Sequence, residues 1–291
     1  MRIFFTRLLV GFFWLLHWLP LPVLRAIGHA LGQLLFVLGR ERRQVALTNL
    51  HLCFPQKSDA ECRALACAHF VAFSQAIIDR SLGWWASPER LKRTFRLKGE
   101  EWLHNDKGQP TILLAPHFVG LDAGGTAVTQ AVQLCSVYSQ QKNPVFNQLL
   151  LQGRLRFNEP LLLSRQDGMR RILKALKDGY PFYYLPDLDF GPKESIFVPF
   201  FGVQAATITG VSRLARLTGA RVLPCITRQV ADGYETVIMP PLANFPGESI
   251  EADTQAINEF IENQILTMPA QYFWLHKRFK TRPVGEQRFY K

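Results

Sequence analysis

Apolar positions divide the chain into two unlike parts. Residues 8–24 carry no formal charge and include Phe12, Phe13, Trp14 and Trp18; after the lone Arg25, a second apolar stretch covers 26–39. From 44 to 82 apolar residues recur at helical spacing, most clearly over 59–73. Ser87-Pro88-Glu89 reads as a helix start, with Ser at the cap and Pro in the first turn. Strand-like and helix-like segments then alternate. The pattern predicts strands over 95–98, 111–115, 134–138, 161–163, 181–185, 221–227 and 234–239, and helices over 145–156, 168–177, 209–217 and 252–266. Such alternation predicts an α/β fold with a mostly parallel central sheet flanked by helices, carried on an N-terminal membrane anchor. No repeat, low-complexity tract or long linker divides the chain further, so the expected parts are 1–39 and 40–291.

The first apolar run is followed by Pro20, Leu21, Pro22 and Arg25 rather than a small-residue cleavage site, which argues against a removed signal peptide. At the short end of the roughly 20 residues a span needs, and broken by its prolines, it has two readings. One is a short single span; the other is a helical hairpin lying in the interface with its aromatics at headgroup depth. A buried helix of a soluble core is the bland alternative. Arg40, Arg42 and Arg43 follow, and the positive-inside rule then places the main body in the cytoplasm.

A net charge of +11 suits an anionic partner: nucleic acid, an acidic membrane face or an acidic protein. No nucleic-acid-binding motif is present, so nucleic acid is not expected. With 48% hydrophobic and 20% charged residues, global disorder is excluded. The five cysteines (Cys53, Cys62, Cys67, Cys135, Cys225) are odd in number and form no CxxC pair, which argues against a disulfide framework or a zinc ribbon.

The chemistry centres on Pro116-His117-Phe118-Val119-Gly120-Leu121-Asp122, directly after the buried strand at 111–115. Active sites of parallel sheets lie at the carboxyl ends of strands, and His117 stands there. Asp122, five residues on, is about 140° round a regular helix from His117. The two meet only if His117 lies in the turn and Asp122 in the first helical turn, a bend that Gly120 eases. A carboxylate on one imidazole nitrogen fixes the tautomer and raises the basicity of the other, which can deprotonate an alcohol attacking a thioester. No Ser or Cys stands in a nucleophile elbow, so direct transfer is expected, with no cofactor or metal.

His-x4-Asp after a buried strand resembles the signature of the glycerolipid acyltransferase superfamily. Further stretches resemble its lipid A late acyltransferase branch, the lauroyl and myristoyl transferases of Gram-negative bacteria. These are Asn49-Leu-His-Leu-Cys-Phe-Pro55, Tyr184-Leu-Pro-Asp187-Leu-Asp189-Phe-Gly191, Val198-Pro-Phe-Phe-Gly202, Ala206-Thr-Ile-Thr-Gly210 and Gln271-Tyr-Phe-Trp-Leu-His-Lys-Arg-Phe-Lys280. The resemblance runs from the anchor to nearly the last residue. It implies a catalytic acyltransferase domain over 40–291, at the inner membrane, that uses acyl-acyl carrier protein as donor. The implied acceptor is a hydroxyl of a 3-hydroxyacyl group on a Kdo-bearing lipid A precursor. An ornithine lipid or lysophospholipid is the alternative acceptor, and a non-catalytic membrane-binding protein or a hydrolase the alternative function. Members often carry Glu where Asp122 stands.

An Arg important to the family lies about where Arg154 stands. Two residues apart, Arg154 and Arg156 do not share a helix face; Arg154 is expected to grip a phosphate or the developing oxyanion, with Arg156 and Arg165 as substrate contacts. Asp187 and Asp189 follow the 181–185 strand and are expected to support catalysis by orienting Arg154 or the acceptor; a divalent metal site or a capped turn are the other readings. Arg165, Arg170, Arg171, Lys174 and Lys177, with Lys277, Arg278, Lys280 and Arg282, form basic runs able to meet anionic headgroups, the acceptor or the carrier. His276 among aromatics is expected to be structural rather than a second base. Phe197, Phe200 and Phe201 are candidates for an acyl groove or for core.

Overall fold

The computed structural model describes residues 2–104, 108–164 and 167–290. Two helices, α1 (Arg2–Leu16) and α2 (Leu21–Leu38), open the chain. The apolar run 8–24 is therefore not one helix: Pro20 is the residue before α2 and Pro22 falls in its first turn, where a missing N–H costs nothing. Next come α3 (Arg40–Cys53), α4 (Asp59–Trp85) and the short α5 (Pro88–Thr94). The Ser58 side chain accepts from the Glu61 N–H while Glu61 reaches back to Ser58, which fixes where α4 starts. Ser87 caps α5 through the Arg90 N–H, as its sequence predicts.

The sheet is built from β1 (Phe95–Lys98), β2 (Thr111–Leu114), β3 (Cys135–Tyr138), β4 (Leu161–Ser164), β5 (Phe182–Tyr184), β8 (Arg221–Val230) and β9 (Gly233–Ile238), in the order β1-β9-β8-β2-β5-β3-β4. Every neighbouring pair is parallel except β8 with β9, which form a hairpin closed at Ala231-Asp232. The helices between are α6 (Leu121–Ala131), α7 (Pro144–Arg154), α8 (Gly168–Lys177), α9 (Gly210–Thr218) and α10 (Ile250–Thr267). A separate antiparallel hairpin, β6 (Ser195–Phe200) and β7 (Val203–Ile208), was not anticipated from the sequence.

Alternation along β2 sorts the two faces. Ile112 and Leu114 join one core with α8, α9 and α10, while Leu113 and Ala115 join another with Val128 of α6. The helix α4 serves both ends of the molecule: Cys62, Ala66 and Phe70 enter the first core, and Ile78 and Leu82 a third one with Leu16 and Leu24.

Among the described residues α2 is the one helix long and apolar enough to cross a membrane. It nevertheless lies along α4. A Cβ on Gly28 would sit 2.6 Å from the Gln75 Cα, and one on Gly32 2.5 Å from the Val71 Cα, so the two backbones touch. Phe36 meets Phe70 edge-on at 5.5 Å, and Arg25 pairs with the buried Asp79 at 3.3 Å while donating to the Gly233 carbonyl at 3.1 Å. Away from this seam Phe4, Phe5, Leu8, Leu9, Phe12, Leu15 and Trp18, with Leu34, Val37 and Leu38, are exposed.

Gly32→Ala tests the seam. Alanine is the better helix former by about 1 kcal/mol, but overpacking costs about 1–3 kcal/mol and here the obstacle is backbone. The expected result is a melting midpoint lowered by about 2–6 °C; a raised midpoint would show that α2 does not pack this closely.

Candidate active site

The site is set by register. Leu114 of β2 pairs with Tyr184 of β5, and the Ala115 N–H donates to the Tyr184 carbonyl at 2.9 Å. Pro116 and Pro186 then stand at matching positions and, having no N–H, end both ladders. His117 and Asp187 follow, each three residues past the paired strand ends. The His117 Nδ1–H donates to Asp187 Oδ1 at 2.7 Å, and the His117 backbone N–H donates to Oδ2 at 2.9 Å. One carboxylate thus holds both the ring and the main chain of the same residue. With Nδ1 committed, Nε2 carries the lone pair and is the nitrogen left for chemistry.

This corrects the expected pairing of His117 with Asp122. His117 does lie in the turn and Asp122 in the first turn of α6, but the Asp122 carboxylate points elsewhere. It forms an ion pair with Arg80 of α4 and lies 4.0 Å from the Arg154 guanidinium at the end of α7. Burial works to raise the Asp122 pKa, yet the attraction of Arg80 and then Arg154 outweighs it and holds the carboxyl below its usual range. Burial likewise works against ionised Asp187, and is outweighed by the attraction and hydrogen bonds of His117, with a smaller pull from Arg278, so Asp187 is a carboxylate at neutral pH. Gly120 has an ordinary φ of −78°, so its part is not a bend. A Cβ there would stand 2.8 Å from Thr227 Cγ2 and 2.9 Å from the Tyr234 ring, which would push α6 off the sheet.

Asp189 supports neither Arg154 nor a free acceptor position. Its oxygens accept from the Gly191 N–H (2.9 Å), the Thr281 N–H (2.6 Å) and the Thr281 hydroxyl (2.8 Å). Nor is Arg156 turned toward a ligand: it donates to the Gly83 (2.6 Å) and Ala86 (2.7 Å) carbonyls and so caps the end of α4. Arg165 lies outside the described residues. Arg278 is buried, bonded to the Ala206 carbonyl and the Thr207 hydroxyl at 2.8 Å each, and stacked over Phe200. Arg171 and Lys174 pair with Asp167 and Asp178, which flank α8, and the apolar side of this helix covers the sheet face opposite α6. Among the described residues no three His, Cys, Asp or Glu side chains group as a metal site.

A pocket of about 1050 Å³, solvent at its mouth included, opens beside Asp122. Asp122, Arg80 and Arg154 mark its polar side, while Trp84, Leu134, Val137, Leu150, Leu162 and Leu185 give it an apolar wall. Phe197, Phe200 and Phe201 are not part of that wall: Phe200 is fully buried in the core and the Phe201 ring packs at a tilt against Phe54, 5.1 Å between centroids. Arg80 was missed in the sequence, although Asp79-Arg80 interrupting an apolar helix is the signal that marks it.

Acid sensitivity is expected from two imidazoles, His69 fully buried and His276 half-buried. His69 and His276 are each pushed down to about 4 from the usual 6.5, by burial first; His69 Nδ1–H donates to the Ala270 carbonyl (2.9 Å), and His276 Nε2 accepts the Asp189 N–H (3.1 Å). A depressed folded-state pKa contributes stability that is fully present above 6.5 and is lost as pH falls through about 4. Thermal melts should therefore be level near neutrality and fall across that window. In His69→Gln, which keeps a donor and does not titrate, the fall should be shallower; an unchanged slope would show that His69 protonation is not a source of the loss.

Residues 1–281 match the sequence model described as bacterial lipid A biosynthesis acyltransferase. The chain is 35% identical over 289 residues to the lipid A biosynthesis lauroyltransferase of Escherichia coli K12, covering 98% of this chain and 94% of that protein. It is 32% identical over 294 residues to the palmitoleoyltransferase of the same strain, covering 99% and 95%, and 32% identical over 279 residues to its myristoyltransferase, covering 93% and 84%.

Proposed function

The chain belongs to the bacterial lipid A biosynthesis acyltransferase family and is an acyltransferase, and we propose that its reaction runs at His117 with Asp187 as the orienting acid. The observation that carries this reading is the doubly anchored His117–Asp187 pair, with His117 on the segment whose Val119 and Asp122 line a pocket with an apolar wall. Donor and acceptor are an acyl-acyl carrier protein thioester and a hydroxyl of a 3-hydroxyacyl group on a Kdo-bearing lipid A precursor. As the hydroxyl oxygen attacks the thioester carbonyl, Nε2 takes its proton, and the charge gathers on the carbonyl oxygen. Collapse of that tetrahedral intermediate breaks the C–S bond; the carrier thiolate leaves and takes the proton from the imidazolium. Asp187 stabilises the imidazolium between the two steps.

Arg154, more than a third exposed and paired only loosely with Asp122, is the guanidinium available to the oxyanion or to a phosphate of either substrate. Asp122 acts through the arginines, holding Arg80 tightly and Arg154 at a distance. The acyl chain takes the wall formed by Leu134, Val137, Leu150, Leu162 and Leu185.

Residues 1–39 serve as the membrane anchor and 40–291 as the catalytic body, facing the cytoplasm at the inner membrane. Of the two anchor geometries, the interfacial one accords with the packing. A perpendicular α2 would carry α4, with Asp79 and Arg80, into hydrocarbon, where charge is costly. Lying flat, α1 and α2 bury their exposed Phe, Leu and Trp side chains at headgroup depth, with Arg40, Arg42 and Arg43 near anionic lipid.

The detergent-solubilised protein, given lauroyl- and myristoyl-carrier thioesters and the tetra-acylated Kdo-bearing precursor, is expected to add the mass of an acyl chain to the lipid. Asp187→Asn should lower kcat about 10³–10⁴-fold, as expected when the acid that sets the imidazole tautomer is neutralised. Full activity in that variant, or mass gain only on ornithine lipid or lysophospholipid, would reject the residue assignment or the acceptor respectively. Separately, Phe5→Ser, Leu9→Ser and Phe12→Ser combined should weaken sedimentation with anionic vesicles on the order of 100-fold; undiminished binding would place the membrane contact elsewhere.

A further inference from the structure

The segment 269–281 crosses both halves of the site. On one side its backbone pairs with the loop that carries His117. The Val119 N–H donates to the Gln271 carbonyl (2.8 Å), the Phe273 N–H donates to the His117 carbonyl (2.9 Å), and Phe118 and Tyr272 are bridged. The Phe273 ring also faces the His117 imidazole, with centroids 6.4 Å apart and planes inclined by 28°. On the other side the segment holds the loop that carries Asp187. His276 Nε2 accepts the Asp189 N–H, Thr281 binds the Asp189 carboxylate through N–H and hydroxyl, and the Tyr272 hydroxyl reaches the Asp187 carbonyl at 3.4 Å.

The segment is itself fixed by side chains from distant elements. The Gln271 amide makes two bonds to the Gln229 backbone of β8, accepting at 2.7 Å and donating at 2.9 Å. The Asn49 amide of α3 donates to the Trp274 and His276 carbonyls at 2.8 Å each. From α4, His69 donates to the Ala270 carbonyl. No regular helix or strand runs through residues 272–281, so these side chains stand where a ladder would otherwise hold the backbone.

We propose that the segment 269–281 is a strap that holds the His117 and Asp187 loops at the separation the β2–β5 register gives them, with His276 and Gln271 as positioning residues for the acyl transfer. This inference rests on the reading that the His117–Asp187 pair is the base. Positioning residues act on the step that needs the aligned imidazole, so their loss lowers kcat and spares KM. His276 is neutral at working pH and offers an acceptor, a task that a glutamine carbonyl can also perform.

The test is steady-state kinetics on full-length protein in detergent. His276→Leu should lower kcat about 10- to 100-fold at unchanged KM for the acyl-carrier thioester, and His276→Gln should recover most of the loss. Gln271→Met supplies a second variant with the same expected signature. Gly32→Ala, destabilised away from the site, is the control for stability loss alone. Unchanged kcat in both His276→Leu and Gln271→Met would overturn the strap. So would losses that merely follow the folded fraction, or a His276→Gln as inactive as His276→Leu, which would mark His276 as chemical rather than positioning. His117→Ala separates the two levels: activity retained there defeats the underlying base assignment, whereas an inactive His117→Ala with normal strap variants defeats the strap alone.

Discussion

Parallel pairing of β2 with β5 is the constraint from which the site follows. Two neighbouring strands that run the same way deliver their carboxyl ends to the same edge, and equal counts past Leu114 and Tyr184 bring His117 and Asp187 level. A slip of one residue in that register would turn alternate side chains to the wrong face and separate the pair. The register is guarded on both faces, because Ile112 and Leu114 fill one core while Leu113 and Ala115 fill another. Apolar packing that has no chemistry of its own therefore sets the geometry of a hydrogen bond that does.

Charged groups around this edge are handled in two ways. Asp187 and Asp189 are almost wholly buried, and each has both oxygens occupied by donors. That is the condition under which a buried carboxylate is tolerated, and it leaves neither of them open to a metal ion. Asp122, Arg80 and Arg154 remain partly exposed and form a looser group at the mouth of the pocket, where partners can exchange as a substrate arrives. Fully satisfied contacts fix the loops behind the strand ends; looser ion pairs stand at the pocket mouth.

Much of this was legible in the chain. Strand–helix alternation placed nearly every element of the sheet, and the strand end at 115 located His117. The acid that holds it was not legible by spacing, because Asp122 is near in sequence whereas Asp187 is brought near by a strand register that no local pattern records. Arg156 had the composition of a ligand contact, but its nearness to the Gly83 and Ala86 carbonyls arises only when α7 packs on α4. The β6–β7 hairpin was missed because Val198-Pro-Phe-Phe-Gly202 mixes a proline with aromatics and shows no alternation, and Phe200 turns out to be core. Direction failed to show in β9 as well: a two-residue turn, not a helix, joins it to β8.

Asp79 and Arg80 are consecutive on α4 and reach opposite ways, one to Arg25 of α2 and the other to Asp122 at the pocket mouth. The evolutionary consequence is that the N-terminus is not a detachable module. A recombination that exchanged the first two helices for another hydrophobic segment would leave Asp79 without its counter-ion. It would also put side chains where Gly28 and Gly32 let two backbones touch. Such grafts would persist in a lineage only if they brought a matching cation and matching small residues, so the first two helices and α4 are constrained to change together.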